Sequence, residues 1–264
     1  VAFVALTDAE TDASKPARQA LWKKIKDNFD DHQSRLGALE GGSADILFDH
    51  FTRDSRAIGG ASHLPSADRF TRVTAGGGTV TLLTTDHICR LAIAASGDIA
   101  GLRANMRLKP PQLPKMVMRM KVSSWATTGF EFFAGMGDDT STAGYGDAFA
   151  GNGPDNGVYL EISGSNLIFV AEKGASRTNG TAFGQPSTGT WFEIDIKYLD
   201  TDSVECRFDG ALKSTFNGPT DFVPDALTHN IYAGAWMAGG ASVAAHNYDI
   251  DRLRSELGTI VDAA

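Results

Sequence analysis

Trp191-Phe-Glu-Ile-Asp-Ile-Lys-Tyr198 places Phe192, Ile194, Ile196 and Tyr198 on one side and Glu193, Asp195 and Lys197 on the other. A period of two marks a strand with one face on a core and the other in water. Upstream, Met116-Val-Met-Arg-Met-Lys-Val122 repeats the pattern, with Met116, Met118, Met120 and Val122 opposite Arg119 and Lys121. Val158, Leu160 and Ile162 give it again. Working outward, strands are expected at 80–83, 88–93, 104–108, 130–134, 167–171, 203–208, 212–216, 231–237 and 248–253. Phe208-Asp-Gly-Ala211 is the sharpest hairpin signal, because Asp-Gly supplies the left-handed conformations of a tight turn. Short strands separated by turn residues describe a mainly β protein built as a sandwich.

Composition narrows the function classes. With 264 residues the chain is long enough for one large β domain and a small N-terminal element. Its formal net charge of −8 and lack of clustered Lys and Arg argue against a nucleic-acid or anionic-membrane surface. Cys89 and Cys206 are too few for a disulfide framework and lack zinc-site spacing, so both are expected as small buried hydrophobes. Val1 to Leu6 is apolar but too short for a membrane span and without a basic leader, so folding in a cytoplasm and no membrane insertion are expected.

Before the β region the period changes. Trp22, Ile25, Phe29, His32, Leu36 and Leu39 recur at alternating steps of three and four, until Gly41-Gly42 ends the run. That is a heptad seam, with Trp22, Phe29 and Leu36 at a and Ile25, His32 and Leu39 at d. Asp12 and Ser14 suit a helix N-cap and Pro16 its first turn. Arg35 at g and Glu40 at the following e favour parallel chains, and the bulk of Trp22 and Phe29 favours a homotrimer. The same stripe would also suit a helix laid on its own β domain. The expected organisation is an anchor segment over 1–16, a coiled-coil helix over 17–42, a sandwich over 43–257 and a tail over 258–264.

Two resemblances rest on these residues. Trp191 to Tyr198, Val204-Glu-Cys-Arg-Phe-Asp-Gly210 and Tyr248-Asp-Ile-Asp-Arg-Leu253 together resemble the C-terminal half of a concanavalin A-like lectin/glucanase jelly roll. Leu6-Thr-Asp-Ala-Glu-Thr-Asp12, with Pro16, Leu21, Lys24, Ile25, Asp27 and Asn28, is similar to a leader on virion proteins of tailed bacteriophages. Together they imply a trimeric virion spike, fibre or decoration protein. Its N-terminus would attach to other capsid or tail proteins, and its sandwich would meet host surface polysaccharide.

Jelly-roll glycosidases use Glu-x-Asp-x-x-Glu on one strand, and Glu193-Ile-Asp195 has no third carboxylate, so no enzyme and no catalytic residues are expected. The Gly/Asp-rich run 135–157 offers Asp138, Asp139, Tyr145, Asp147, Asn152 and Asp155 as candidate glycan-binding residues. Their oxygens would suit sugar hydroxyls or Ca²⁺, although the spacing matches no ordered calcium loop, and no cofactor or metal is expected. The six histidines lack metal-ligand spacing. The competing reading is a glycan-degrading depolymerase on the same fold, with Glu131 or Glu161 as the residues whose change would abolish release of reducing sugar. A third is architectural capsid cement that binds no sugar. If the heptad drives assembly, a chain beginning at Ser43 is folded but monomeric, or a weaker trimer, by light scattering. An undiminished trimer rejects the stalk.

Overall fold

The computed structural model describes residues 46–49, 70–83, 88–104, 106–125, 130–138, 156–174, 176–225, 231–239 and 245–257. The expected anchor, the helix over 17–42 and its seam lie outside these residues. Strands are numbered in chain order. The first sheet, A, runs β14 (Ala211–Asn217), β13 (Ser203–Phe208), β12 (Phe192–Tyr198), β6 (Lys115–Val122), β16 (His246–Glu256), β4 (Ile88–Ile93) and β3 (Thr79–Leu83), with β1 (Ile46–Asp49) also on β16. The second sheet, B, runs β10 (Ser176–Asn179), β9 (Asn166–Lys173), β8 (Asn156–Ser163), β7 (Phe130–Asp138), β15 (Ile231–Gly239), β5 (Ile99–Ala104) and β2 (Phe70–Ala75), with β11 (Phe183–Gly184) also on β9. Every pairing is antiparallel. The molecule is a mainly β sandwich.

The alternation read from sequence is the alternation that packs. Met116, Met118, Met120 and Val122 of β6 are buried, as are Phe192, Ile194, Ile196 and Tyr198 of β12. They face Phe132, Ala134 and Met136 of β7 and Val158 and Leu160 of β8 in one continuous core. Rings thread this core: Phe169 meets Phe183 at 5.8 Å, Phe183 meets Phe208 at 5.1 Å, and Phe208 stacks on Phe192 at 5.1 Å. Phe192 then meets Trp125 at 5.7 Å, Trp125 meets Phe132 at 6.4 Å, and Phe132 meets Tyr248 at 4.6 Å. Cys89 and Cys206 are both buried.

Turns carry the local chemistry the chain supplies. Asp209 and Gly210 both have positive φ (48° and 76°), the geometry that joins β13 tightly to β14. Asp98 accepts the N–H groups of Gly77, Ala94 and Ala95 at 2.6, 2.8 and 2.8 Å, tying the β2–β3 turn to the β4–β5 turn. Those backbone donors hold its carboxyl below the usual range.

One expectation needs correction. The strand expected at 104–108 is β5, which lies earlier at Ile99–Ala104; the chain bends after it, and Leu108 makes an isolated bridge to Ile231. In β16 a register shift between Ile250 and Arg252 changes the inward parity, so Tyr248 and Ile250 are followed inward by Leu253 and Ser255. The shift turns both Asp251 and Arg252 outward, where Arg119 holds Asp251 at 2.5 Å and Arg252 holds Glu193. Phe192 is buried and in ring contact with both Phe208 and Trp125, so Phe192→Ala is expected to cost about 3–5 kcal/mol in a denaturant titration. A loss below about 1 kcal/mol would show that the ring line is not structural.

Candidate active site

Because side chains alternate across a sheet, every second residue of sheet B turns away from the core. Cross-strand register assembles these outward residues into rows. One row reads Ile168, Glu161, Phe133, Trp236, Gly101 and Val73 across β9, β8, β7, β15, β5 and β2. The next reads Val170, Tyr159, Gly135, Gly234 and Arg103. An ordinary one-sided sheet would be polar here. Instead Val73, Phe133, Tyr159, Ile168, Val170 and Trp236 form a second buried apolar cluster.

Phe133 is the hinge of that cluster, meeting Tyr159 edge-on at 5.3 Å and stacking on Trp236 at 5.8 Å. Glycines let the rings lie close to the sheet. A Cβ on Gly135 would stand 2.5 Å from Tyr159 Cα, and one on Gly101 would stand 3.0 Å from Trp236 Cβ. Arg103 lies over the Tyr232 ring at 4.4 Å.

Carboxylates edge this apolar floor. Tyr159 donates its hydroxyl to Glu172 Oε2 at 2.5 Å, and Glu172 is itself buried. Burial, reinforced by this bond to Glu172, pushes the tyrosine's pKa far upward. Arg177, on β10 opposite Glu172, donates to Glu161 Oε1 at 2.5 Å and to Asn179 Oδ1 at 3.0 Å. Burial raises Glu161 above the usual carboxylate range, while Arg177 pulls it back. Glu131 lies two residues before Phe133, which is paired with Glu161, so the two acids are diagonal neighbours on one face. Glu131 Oε2 is buried and accepts no hydrogen bond. Desolvation, then repulsion from Glu161, raises its pKa.

The earlier candidates fall elsewhere. Glu193 and Asp195 project from the outer face of sheet A, where Arg252 holds Glu193 and Lys115 lies 3.5 Å from Asp195. That face is a charge lattice which also includes the Arg90–Asp249 pair at 2.6 and 2.8 Å. Asp138 ends β7 and accepts the backbone N–H of Asn156 at 2.9 Å and its Nδ2 at 2.7 Å, a brace between β7 and β8. Asp139, Tyr145, Asp147, Asn152 and Asp155 lie outside the described residues. Among those described, no group of three or more His, Cys, Asp or Glu is placed to hold a metal ion. Glu131 and Glu161 stand thirty residues apart in the chain; their adjacency, and the parts of Tyr159, Glu172 and Arg177, follow from the register of four strands.

No known family pattern matches the chain, and no curated protein matches it in sequence. Solved structures do match in shape. A protein of unknown function from Shewanella oneidensis MR-1 aligns over 88% of this chain and 96% of its own, with TM-score 0.56 and 14% identity. Crh5 transglycosylase aligns over 81% and 85%, with TM-score 0.55 and 17% identity. LamA from Zobellia galactanivorans, solved with laminaritriose and laminaritetraose, aligns over 81% and 99%, with TM-score 0.55 and 12% identity. These likenesses say nothing of a virion. They do overturn the expectation that the chain is no enzyme, which rested on the missing third carboxylate of the 193–195 strand: the same sandwich is that of a transglycosylase.

Glu131 also has a stability consequence. Its raised pKa means that it contributes most below the unfolded value of about 4.3 and loses that contribution as pH rises through the folded value. Glu131→Gln is therefore expected to raise Tm at pH 8, with the gain vanishing below about pH 4. A gain equal at both pH values would mean the acid is not desolvated. By shape, the described chain is a jelly-roll sandwich of the kind found in concanavalin-like glycanases and lectin domains.

Proposed function

We propose that the protein cleaves or transfers glycosidic bonds at the outer face of sheet B, with Glu131 and Glu161 as its two acids. What carries this reading is the unequal environment of two neighbouring carboxyls. Glu131 sits desolvated and without a hydrogen bond at Oε2, which favours the protonated form a general acid needs. Burial raises Glu161 as well, but the Arg177 guanidinium against it offsets part of that rise and favours charge on that carboxyl, a partner Glu131 Oε2 lacks. Glu131 gives its proton to the departing glycosidic oxygen as the bond to the anomeric carbon breaks. Glu161 meets the positive charge developing on that carbon, either directly or through a water it deprotonates.

In this reading Phe133, Tyr159 and Trp236 do not stack on sugar, since all three are at most 5% exposed. They lower the dielectric beside the acids, and the Tyr159–Glu172 bond fixes that wall. Crh5 transglycosylase and LamA with its laminari-oligosaccharides support a glycan as the substrate class. The heptad from Trp22 to Leu39 and the leader from Leu6 to Asp12 support a setting for it: a trimeric depolymerase on a tailed-phage particle, acting on host polysaccharide.

The test is reducing-end release, and transfer to labelled acceptors, on a panel of neutral β-glucans and bacterial surface polysaccharides. Glu131→Gln and Glu161→Gln are each expected to lower the rate about 10²- to 10⁴-fold with the near-ultraviolet circular dichroism unchanged. Variants within about twofold of the parent, or a parent that only binds, would overturn the assignment.

A further inference from the structure

An opening lies at the edge of the sandwich, away from the two acids. It is a cleft of about 600 Å³ between the ends of β8, β9 and β10 and the segment that follows β14. The volume falls within the rough 300–1,000 Å³ of ligand pockets. Its wall is braced. Asn156 receives the Gly174 N–H at 3.1 Å while donating to Asp138, and Lys173 reaches across to Asp225 Oδ2 at 2.7 Å. The other wall is tied to β14 and β10. Asp221 accepts the Asn217 N–H at 2.8 Å, and the Phe222 N–H points to Thr178 Oγ1 at 3.4 Å. On this braced frame Phe222 is 40% exposed, one of the few large apolar residues the described surface presents.

The lining chemistry excludes most ligand classes. An anion would meet Asp221 and Asp225, with the nearby Lys173 already engaged by Asp225. A metal ion lacks a donor set, since no group of three ligating side chains gathers among the described residues. A purely apolar molecule would strip water from the acceptor positions of Asp221 and Asp225 that their single protein partners leave open. A neutral sugar ring satisfies each group. Its C–H face covers an aromatic ring, and its hydroxyls donate to carboxylates and exchange hydrogen bonds with an amide.

We infer that this cleft is a binding subsite for one neutral sugar unit of a glycan, with Phe222 as its stacking face and Asp221 and Asp225 as hydroxyl acceptors. The inference rests on the glycan reading for its ligand class but not on Glu131 or Glu161. It gives the protein a hold on polysaccharide at a point separate from bond cleavage, at the end of β9 and β10 beyond Glu172 and Arg177. A polymer anchored there would stay in contact with the sandwich between cleavage events.

The test is isothermal titration of the full chain, carrying Glu131→Gln to prevent turnover, with laminaritetraose and with neutral tetraoses of mannan and galactan. Phe222→Ala is expected to weaken the tightest of these at least about tenfold, Phe222→Tyr to restore it, and Asp221→Asn to weaken it several-fold. Binding that survives both Phe222→Ala and Asp221→Asn within twofold, or no tetraose bound at millimolar concentration, overturns the subsite. If Glu131→Gln abolishes cleavage while Phe222→Ala leaves binding intact, the subsite fails and the catalytic reading stands. If Phe222→Ala weakens binding and neither acid affects cleavage, the subsite stands alone.

Discussion

The line of rings from Phe169 through Phe183, Phe208, Phe192, Trp125 and Phe132 to Tyr248 is what the two sheets are spaced by. It begins in sheet B, passes into sheet A, returns to sheet B at β7 and ends in sheet A at β16. Each contact adds about 0.5–1.5 kcal/mol beyond the burial of the ring itself. Because close-packed interiors leave little slack, a sheet cannot slide without breaking several of these contacts at once. The methionines of β6 fill the irregular space beside the rings, a role that suits their unbranched, polarizable side chains.

With the interior fixed, the two outer faces diverge. Sheet A turns Arg119, Asp251, Arg252, Glu193 and Lys115 outward in alternating charge, and Trp191 lies under Arg119 and Lys121 at 5.0 and 4.7 Å. Such pairs are solvated and individually contribute little. Sheet B carries a second apolar cluster on its outer side, so its central strands are buried on both faces. A two-layer sandwich needs only one core to stand. The additional cluster lies beside Glu131 and Glu161, whose pKa values burial raises.

This divergence also explains what could be read from the chain. β6 and β12 are buried on one face, so their alternation survives in the sequence. β9 is apolar at Leu167, Ile168, Phe169, Val170 and Ala171 in succession, which marks a strand but hides which side faces the core. β5, Ile99-Ala-Gly-Leu-Arg-Ala104, is too rich in small residues to announce itself, because its neighbours supply the bulk. Glu193 and Asp195 attracted notice because they are two apart on one strand. Glu131, Glu161, Glu172 and Arg177 are scattered over four strands, and only antiparallel register gathers them. Long-range register is the information a single sequence carries least directly.

The placement of β16 bears on how the protein is made. It is the last of the described strands in chain order, yet it lies between β6 and β4 and also pairs with β1. Until His246 to Glu256 leave the ribosome, the β3–β4 hairpin and the β6–β12–β13–β14 sheet have no strand to join them. At roughly 5–20 residues per second, β4 waits on the order of ten to thirty seconds for its partner. During that time the edges of β4 and β6 present unpaired N–H and C=O groups to neighbouring nascent chains. In a sandwich whose contacts are mostly distant in sequence, such late pairing is expected to make folding slow.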